Sequence, residues 1–445
     1  MNRFVARSWF PASLLIAVAV VFLAFGPPSA GSSTARLEAM APAGATVDAQ
    51  FSPAPDASVT EVAIATQWET VRRFPETVDA YIQLGNAYLQ NVRESGDPAD
   101  YQRAEAAFEQ ALTLAPANAD AMIGLGVLNL ARHEFAAALA LGQRAVELAP
   151  RTARAHGVLV DALTELGRYD EAVDSAQRMV DLRPDLASLS RVSYQRELRG
   201  DIDGAIEAMA RAFDAAAGSA SENREYLRVL IGDLHLLKGD AAGAARIYEV
   251  SLDVVPGFVW AEAGLGRVAV AQGDLDAAIE HYRAAVETLP LPELFVALGD
   301  AQAADGRADD AAATFELVRA MQALFAENGV RVELELAIFE ANHGDPTKAV
   351  DLARRAYADQ PNVKAADALA WALYKAGNID EAAALSVEAR RLGSPYGQFA
   401  YHAAMIELER GEIQAPRVLL EAALEVAGTI SALDSAAARA TLAGL

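Results

Sequence analysis

The chain has 445 residues, a formal net charge of −24, no cysteine, and a composition that is 53% hydrophobic and 22% charged. These fractions are typical of a folded protein, and the length predicts two or three domains or a repeat array. The lack of cysteine excludes disulfides, thiolate nucleophiles, iron–sulfur clusters and Cys-ligated zinc. The acidity argues against a nucleic-acid partner, because binding to phosphates needs clustered Lys and Arg.

The amino-terminal segment, residues 1–30, has the pattern of an export signal. Arg3 and Arg7 precede an uncharged stretch whose apolar centre runs from residue 14 to 25. A positive start, a short apolar run and small residues after it are typical of a signal peptide. Residues 9–25 together approach the length of a short transmembrane helix, so an uncleaved membrane anchor is the alternative. Both interpretations predict an extracytoplasmic chain, either secreted or periplasmic after cleavage or anchored to the cytoplasmic membrane.

Residues 31–60 are rich in Pro, Ser and Ala, which predicts a flexible spacer. Beyond them, two kinds of residue that end helices, proline and glycine, recur at similar intervals and alternate along the chain. Prolines repeat at intervals of 34 residues, and glycines in a turn context repeat at intervals of 33 to 39 residues. The prolines are Pro116, Pro150 and Pro184, then Pro256 and Pro290; the glycines are Gly167, Gly200, Gly239, Gly273, Gly306, Gly344, Gly377 and Gly411.

This alternation predicts pairs of antiparallel helices. Each glycine supplies the left-handed conformation that closes a first helix, and each proline ends a second helix. In the second repeat His133 takes the glycine position. Residues 61–75 are predicted to form a lone helix before the first pair, Asn91 to Asp100 an extra loop in the first repeat, and residues 431–445 a carboxy-terminal capping helix.

The repeated residues resemble the tetratricopeptide repeat (TPR) family. Leu-Gly or Leu-Ala pairs in the first helix, an alanine in the second helix and an aromatic four residues after it all recur. Examples are Leu84-Gly85, Leu125-Gly126 and Leu265-Gly266, with Ala104, Ala244 and Ala278, and with Phe108, Tyr248 and Tyr282. The resemblance covers residues 61–430 and implies an all-α fold, an α-solenoid of about ten stacked helix pairs. Together with the export signal, it indicates an exported, bacterial-type repeat protein.

No catalytic, cofactor-binding or metal-binding residue is predicted. The six histidines are scattered without the spacing of a metal site, and structural or surface roles are expected for them. The residues from Gly264 to Ala269 formally match a dinucleotide-binding fingerprint. That motif needs a preceding strand, whereas Gly264 and Gly266 fall inside a predicted helix.

The resemblance implies that a partner would lie in a concave groove lined by the first helices. Large aromatics and methionine are favoured anchors at such interfaces. The alternative is that these side chains pack between neighbouring helices. The candidate groove residues are Tyr226, Asp233, Trp260, Arg267, Lys364, Asp367, Trp371, Tyr374, Tyr401 and Met405.

The sequence therefore favours a non-catalytic scaffold for protein–protein interaction, exported and membrane-tethered if residues 9–25 remain uncleaved. Its acidity favours a basic or neutral protein or peptide as partner. Two alternatives stay open: an accessory subunit of an envelope enzyme, such as a glycosyltransferase or protease system, and a self-assembling structural protein. The oligomeric state is not predicted.

Overall fold

The computed structural model describes residues 33–42, 57–218 and 221–445. The predicted signal or anchor in residues 1–30 lies outside this part of the chain. The described residues form 23 α-helices and one 3₁₀ turn, with no β-strand among them. None of these helices is long and apolar enough to cross a membrane. The chain divides into two compact units: unit 1 holds the described residues up to Pro184 with Leu324–Arg331, and unit 2 holds Asp185–Ala323 with Val332–Leu445.

Unit 1 contains three helix pairs and two unpaired helices that precede them, of which the first is described below. The second, α2 (Val59–Arg73), packs on the first pair, which confirms the lone helix expected at residues 61–75. Its capping box joins Ser58 and Glu61. The pairs are α3 (Val78–Ser95) with α4 (Ala99–Leu114), α5 (Ala119–Ala131) with α6 (Phe135–Leu148), and α7 (Ala153–Glu165) with α8 (Tyr169–Leu182).

A short helix, α1 (Ser33–Met40), lies in the segment predicted to be a flexible spacer. It packs against α4, and Met40 is buried. The hydroxyl of Tyr88 donates a hydrogen bond to the Met40 carbonyl oxygen. The spacer prediction therefore does not describe residues 33–40, because tertiary contacts overrode their Ser- and Ala-rich composition. Residues 43–56 of that segment lie outside the described chain.

Unit 2 contains seven further pairs, so the two units together hold the ten pairs that the repeats predicted. After the last pair come the turn η1 (Ala427–Thr429) and the helix α23 (Ala432–Gly444). Most of α16 belongs to unit 2, and its last residues, from Leu324, belong to unit 1. The pairs are α9 (Leu186–Glu197) with α10 (Ile202–Ala215), α11 (Ser221–Leu237) with α12 (Ala241–Val254), α13 (Val259–Gln272) with α14 (Leu275–Thr288), α15 (Pro292–Ala304) with α16 (Ala308–Glu327), α17 (Glu333–His343) with α18 (Pro346–Asp359), α19 (Val363–Lys375) with α20 (Ile379–Ala389), and α21 (Gly397–Glu409) with α22 (Gln414–Glu425).

Aromatic side chains of the second helices pack directly on glycines of the first helices. A Cβ on Gly264 would lie 2.7 Å from the ring of Tyr248, and one on Gly266 would lie 2.6 Å from the ring of Tyr282. In unit 1, Phe108 fills the same role against Gly85. The predicted use of small residues for close helix approach is confirmed. The fingerprint at Gly264 and Gly266 is thus a helix-packing feature inside α13.

The turn residues follow the prediction with one exception. Seven of the eight turn glycines have a positive φ, and so does His133, at 67°. Gly344 instead has a φ of −144°. There the carboxylate of Glu340 accepts a hydrogen bond from the Asp345 amide at 3.1 Å, and Pro346 follows as the first residue of α18. A side chain therefore shapes this turn, and the prediction of a left-handed glycine at 344 was wrong.

The insertion in the first repeat is mostly helical. Residues 91–100 were expected to form a loop, but α3 continues to Ser95, and Gly96 closes it in the left-handed conformation. The side chain of Arg93 donates to Gln90 at 2.7 Å, an i,i+3 contact that supports the added turn. The predicted loop was therefore wrong over residues 91–95.

Candidate functional site: the first-helix face of unit 2

All ten predicted groove residues lie in unit 2, on α11, α13, α19 and α21. We use the term first-helix face for the surface formed by the odd-numbered helices α11, α13, α15, α19 and α21. None of the ten side chains is fully exposed. The buried ones are Tyr226, Asp367, Trp371 and Tyr401; the partly buried ones are Asp233, Trp260, Arg267, Lys364, Tyr374 and Met405.

A polar cluster joins α11, α12 and α13 around Asp233. The Tyr248 hydroxyl donates to the Asp233 carboxylate at 2.6 Å, and the Arg267 guanidinium forms an ion pair with the same carboxylate. Asp233 and Arg267 are 34 residues apart and so occupy equivalent places in successive repeats. Burial, together with the charge of Asp233, holds the pKa of Tyr248 well above its usual value. Burial alone would lower the pKa of Arg267, but the neighbouring carboxylate raises it overall.

Two aromatics lie beside this cluster. The rings of Tyr226 and Trp260 meet edge to face, with centroids 6.0 Å apart and an interplanar angle of 76°. Burial raises the pKa of Tyr226, and the charge of Asp233 adds to that shift. The structure therefore brings Tyr226, Asp233, Trp260 and Arg267 together, as the repeat positions implied.

A second group, on α19 and α21, forms a buried aromatic stack around Trp371. The Trp371 ring stacks on His402 at 4.0 Å between centroids and on Tyr374 at 5.0 Å, and it also contacts Tyr401. Its indole nitrogen donates to Asn342 at 2.7 Å. Trp371 is only 1% exposed. For Trp371 and Tyr401 the structure thus shows packing between helices, the alternative that the sequence left open.

Of the three remaining candidates, Met405 packs against the apolar cluster around Trp371, while Asp367 and Lys364 each make a polar contact. Asp367 is buried against His402, with 2.9 Å between the carboxylate and Nδ1. Lys364 donates from Nζ to the hydroxyl of Tyr194, at 2.9 Å. Tyr194 lies 170 residues earlier, on α9. Separations of that size leave no local signal in the sequence.

The Lys364 contact belongs to a larger one, in which the first pair of unit 2 meets its last pairs. The Tyr396 hydroxyl donates to the Glu197 carboxylate at 2.8 Å, and the Ser394 hydroxyl donates to the Leu198 carbonyl oxygen. Burial raises the pKa of Glu197 to about 7, while the hydrogen bond from Tyr396 and the charge of Lys364 act in the opposite direction. The helices of unit 2 therefore close on one another through a titratable contact.

The carboxy-terminal segment covers part of the first-helix face. The turn η1 contacts α11, α13 and α21, while α23 contacts α13, α15, α21 and α22. A Cβ on Gly428 would lie 2.9 Å from the Leu236 side chain and 3.1 Å from the Arg267 carbonyl oxygen. Residues 431–445 were expected to cap the last pair. The helix does contact α22, but it also lies against first helices of much earlier repeats.

The histidines fit structural roles. His343 lies 2.9 Å from Asp300 and stacks on Phe315, and the side chains of His343 and Asp300 are less than a tenth exposed. In unit 1, His133 Nδ1 lies 2.7 Å from the Arg331 carbonyl oxygen. Among the described residues, no three His, Asp or Glu side chains are grouped so as to hold a metal ion.

The tetratricopeptide repeat family matches residues 97–151, 143–187 and 264–323. The chain contains tetratricopeptide repeats. The matches fall on helix pairs of both units, including the α13–α14 and α15–α16 pairs, whose first helices, α13 and α15, belong to the first-helix face. The contact of Gly266 with the Tyr282 ring, described above, lies within the match to residues 264–323. The comparison with curated proteins gives no match.

Several solved structures are similar at low sequence identity. A monomeric mutant of IFIT1 with Gppp-AAAA is 16% identical, with a TM-score of 0.46 over 75% of this chain and 76% of that chain. The human IFIT1 dimer with m7Gppp-AAAA has the same identity and TM-score, over 75% and 79%. The APC/C hetero-tetramer Cut9–Hcn1 is 13% identical, with a TM-score of 0.37 over 86% and 93%.

Proposed function

We propose that this TPR protein is a non-catalytic scaffold that binds a protein or peptide. The observation that supports it is the set of ten helix pairs, three in unit 1 and seven in unit 2, with family matches in three stretches. Stacked repeats of this kind create extended surfaces that are suited to binding other polypeptides.

The charge distribution suggests the chemistry of the partner. Residues 1–60 hold three cations and three anions, so the net charge of −24 belongs entirely to residues 61–445. An acidic surface attracts basic proteins, does not repel neutral ones and repels nucleic acid, and salt screens both the attraction and the repulsion. We therefore propose a basic or neutral protein partner. The capped oligonucleotides named above are ligands of IFIT1.

The proposed binding surface is the first-helix face of unit 2. Trp260, Arg267 and Lys364 keep part of their side chains accessible there. An aromatic ring and two cations offer an apolar anchor and hydrogen-bond donors to a polypeptide.

Affinity capture with the full chain tests this function. The bait is incubated with cell-envelope extract at low and at high salt, and bound proteins are identified by mass spectrometry. We expect a defined partner whose recovery falls at high salt and falls again with Trp260→Ala. Val250→Ala is the matched control, because Val250 is exposed and lies on α12, a second helix outside the first-helix face. Equal recovery with both variants would remove the first-helix face from the proposal, and no enriched protein would remove the scaffold function.

We also propose that the chain is exported, because residues 1–30 combine two arginines with a following apolar run, as signal peptides do. A mass spectrum of the mature amino terminus, combined with membrane fractionation, tests it. A chain that begins near residues 32–36 in the soluble extracytoplasmic fraction means cleavage, and an intact chain in membranes means an anchor. An intact chain in the cytosol would contradict export.

A further inference from the structure

The carboxy-terminal segment, residues 426–445, lies on the same face that the proposed function assigns to a partner. Its helix α23 shares one apolar cluster with the predicted groove residues of α19 and α21: Ala438 is buried within it, and Tyr401, Met405 and Leu442 also belong to it. The helix α23 contacts α21 directly, so it packs in the same core as the aromatic stack.

The fit depends on small side chains. Ala432, Ser435 and Ala438 recur every three residues on one side of α23, and all three are buried, the last two completely. Residues at this spacing share one helix face, so α23 presents a buried stripe of small residues to the helices it packs against, which are α13, α15, α21 and α22. Gly428, ahead of the helix, lets η1 approach Leu236 and Arg267 closely. We call the surface of α11, α13, α15 and α21 beneath η1 and α23 the seat. The small residues define the shape of a helix that fits this seat.

A charged contact fixes the direction of the helix. The Arg439 guanidinium donates to the carbonyl oxygens of Val270 at 3.3 Å and Ala271 at 3.1 Å. These carbonyls belong to the last turn of α13, where the helix dipole favours a cation; the Val270 oxygen also accepts the amide of the capping residue Gly273. A helix bound at this surface is thus favoured if it carries an arginine at the position of Arg439.

The interface between α23 and the rest of unit 2 contains two unfavourable features. The hydroxyl of Ser435 is buried without a hydrogen-bond partner, which leaves a desolvated polar group. Asp434 lies close enough to Asp300 for its charge to raise the pKa of that carboxyl, in addition to the larger effect of burial. A helix that remained permanently in this position would be more stable without these two features. Both are compatible with a helix that dissociates from unit 2.

We infer that residues 426–445 are an intramolecular ligand, which occupies a seat on unit 2 that also accepts a partner helix of the same chemistry. That partner helix carries a face of Ala, Ser or Gly at three-residue spacing and an arginine that reaches the end of α13. The inference rests on the proposed function, because it names the kind of polypeptide that the first-helix face binds. Binding of the partner and release of α23 are then coupled, since both need the same surface.

The test uses the full chain and a fluorescent synthetic peptide of residues 426–445 as the probe. Ala438→Arg places a long charged side chain at a fully buried position and releases α23. Ala440→Arg is the matched control on the same helix, because Ala440 is exposed. By fluorescence anisotropy we expect the peptide to bind Ala438→Arg at least about tenfold more tightly than it binds wild type or Ala440→Arg. A peptide carrying Arg439→Gln should bind Ala438→Arg more weakly.

Equal affinity of the peptide for the three proteins would overturn the inference. Should Ala438→Arg fail to fold, full-length Arg439→Gln provides the same comparison with a milder change, and it should bind the peptide more tightly than the wild type does. Hydrogen–deuterium exchange of the wild type gives an independent result. We expect amides of α23 to exchange at least about tenfold faster than those of α21. Exchange of both helices at one rate would make α23 a permanent part of the core and contradict the inference.

The outcome is separable from that of the scaffold proposal. If the peptide binds Ala438→Arg more tightly but affinity capture finds no partner, the intramolecular ligand stands and the scaffold function falls. If a partner is captured equally well by wild type and Ala438→Arg, the scaffold function stands and the shared seat is overturned.

Discussion

At the scale of single residues, glycine and an aromatic side chain together set the spacing of the helices. Gly264 lies in the interior of α13, where glycine is intrinsically unfavourable by about 0.5–1 kcal/mol relative to alanine. It is tolerated there because the Tyr248 ring occupies the space that a Cβ would need. Packing outweighs helix propensity at this position.

The substitution Gly264→Ala separates these two effects. Propensity alone predicts a gain in stability, whereas overpacking against Tyr248 predicts a loss of about 1–3 kcal/mol. We expect a net loss, measured as a lower midpoint of chemical unfolding. Gly444→Ala is the control, since a Cβ at Gly444 meets nothing within 4 Å. A Gly264→Ala protein as stable as this control would disprove the packing argument.

Glu197 makes the stability of unit 2 depend on pH. Its pKa rises from 4.5 to about 7 in the folded chain, chiefly through burial. A raised pKa means that the folded state holds the proton more tightly than the unfolded state. The associated stability is therefore complete below about pH 4.5 and is lost as pH rises towards 7, by at most about 3 kcal/mol.

The substitution Glu197→Gln removes this titration and keeps an acceptor for the Tyr396 hydroxyl. We expect its thermal midpoint to exceed that of the wild type at pH 8 by several degrees, and the difference to shrink towards pH 5. Glu171→Gln, at an exposed helix position, serves as control and should not reproduce that trend. A difference between wild type and Glu197→Gln that does not change with pH would contradict the role of Glu197.

At the scale of elements, the sequence predicted those features that recur with the repeat. The lone helix α2, ten helix pairs, the left-handed turn at His133 and the packing glycines all follow from local spacing. The spacing could not predict α1, because its helix depends on a contact with α4 and Tyr88. Nor could it reveal the burial of Trp371, since Asn342 reaches it from α17 while Tyr401 and His402 reach it from α21.

The caps of the terminal helices offer a local test of element stability. The Ser431 hydroxyl accepts a hydrogen bond from the Asp434 amide at 3.0 Å and caps α23, as Ser58 caps α2. Loss of such a cap costs about 1 kcal/mol, or about fivefold in a local opening equilibrium. Ser431→Ala should speed hydrogen exchange in α23 and leave α2 unchanged, and Ser58→Ala should do the reverse. Equal effects of each substitution on both helices would show that neither opens independently.

At the scale of the whole molecule, the repeat array accounts for the length and for the charge, and each unit has its own core. In unit 1 the core lies around Trp68, Tyr81 and Phe108. In unit 2 a core surrounds Trp371, and the first pair meets the last pairs through Glu197 and Tyr396. Local repeats dictate every pair, but contacts between residues almost two hundred positions apart decide which surfaces of unit 2 remain available.

The position of the carboxy-terminal segment on the first-helix face is the central claim, and the lack of cysteine allows a direct test. Gly428→Cys with Leu236→Cys places two thiols where a Cβ at 428 is 2.9 Å from the Leu236 side chain, within reach of a disulfide after minor adjustment. Leu236→Cys with Ala440→Cys is the control, because Ala440 is exposed. Under mild oxidation, a mass spectrum and a non-reducing gel should show an intramolecular disulfide in nearly all of the first variant and in little of the second. Equal, low cross-linking in both would contradict the seating of residues 426–445 on α11 and α13.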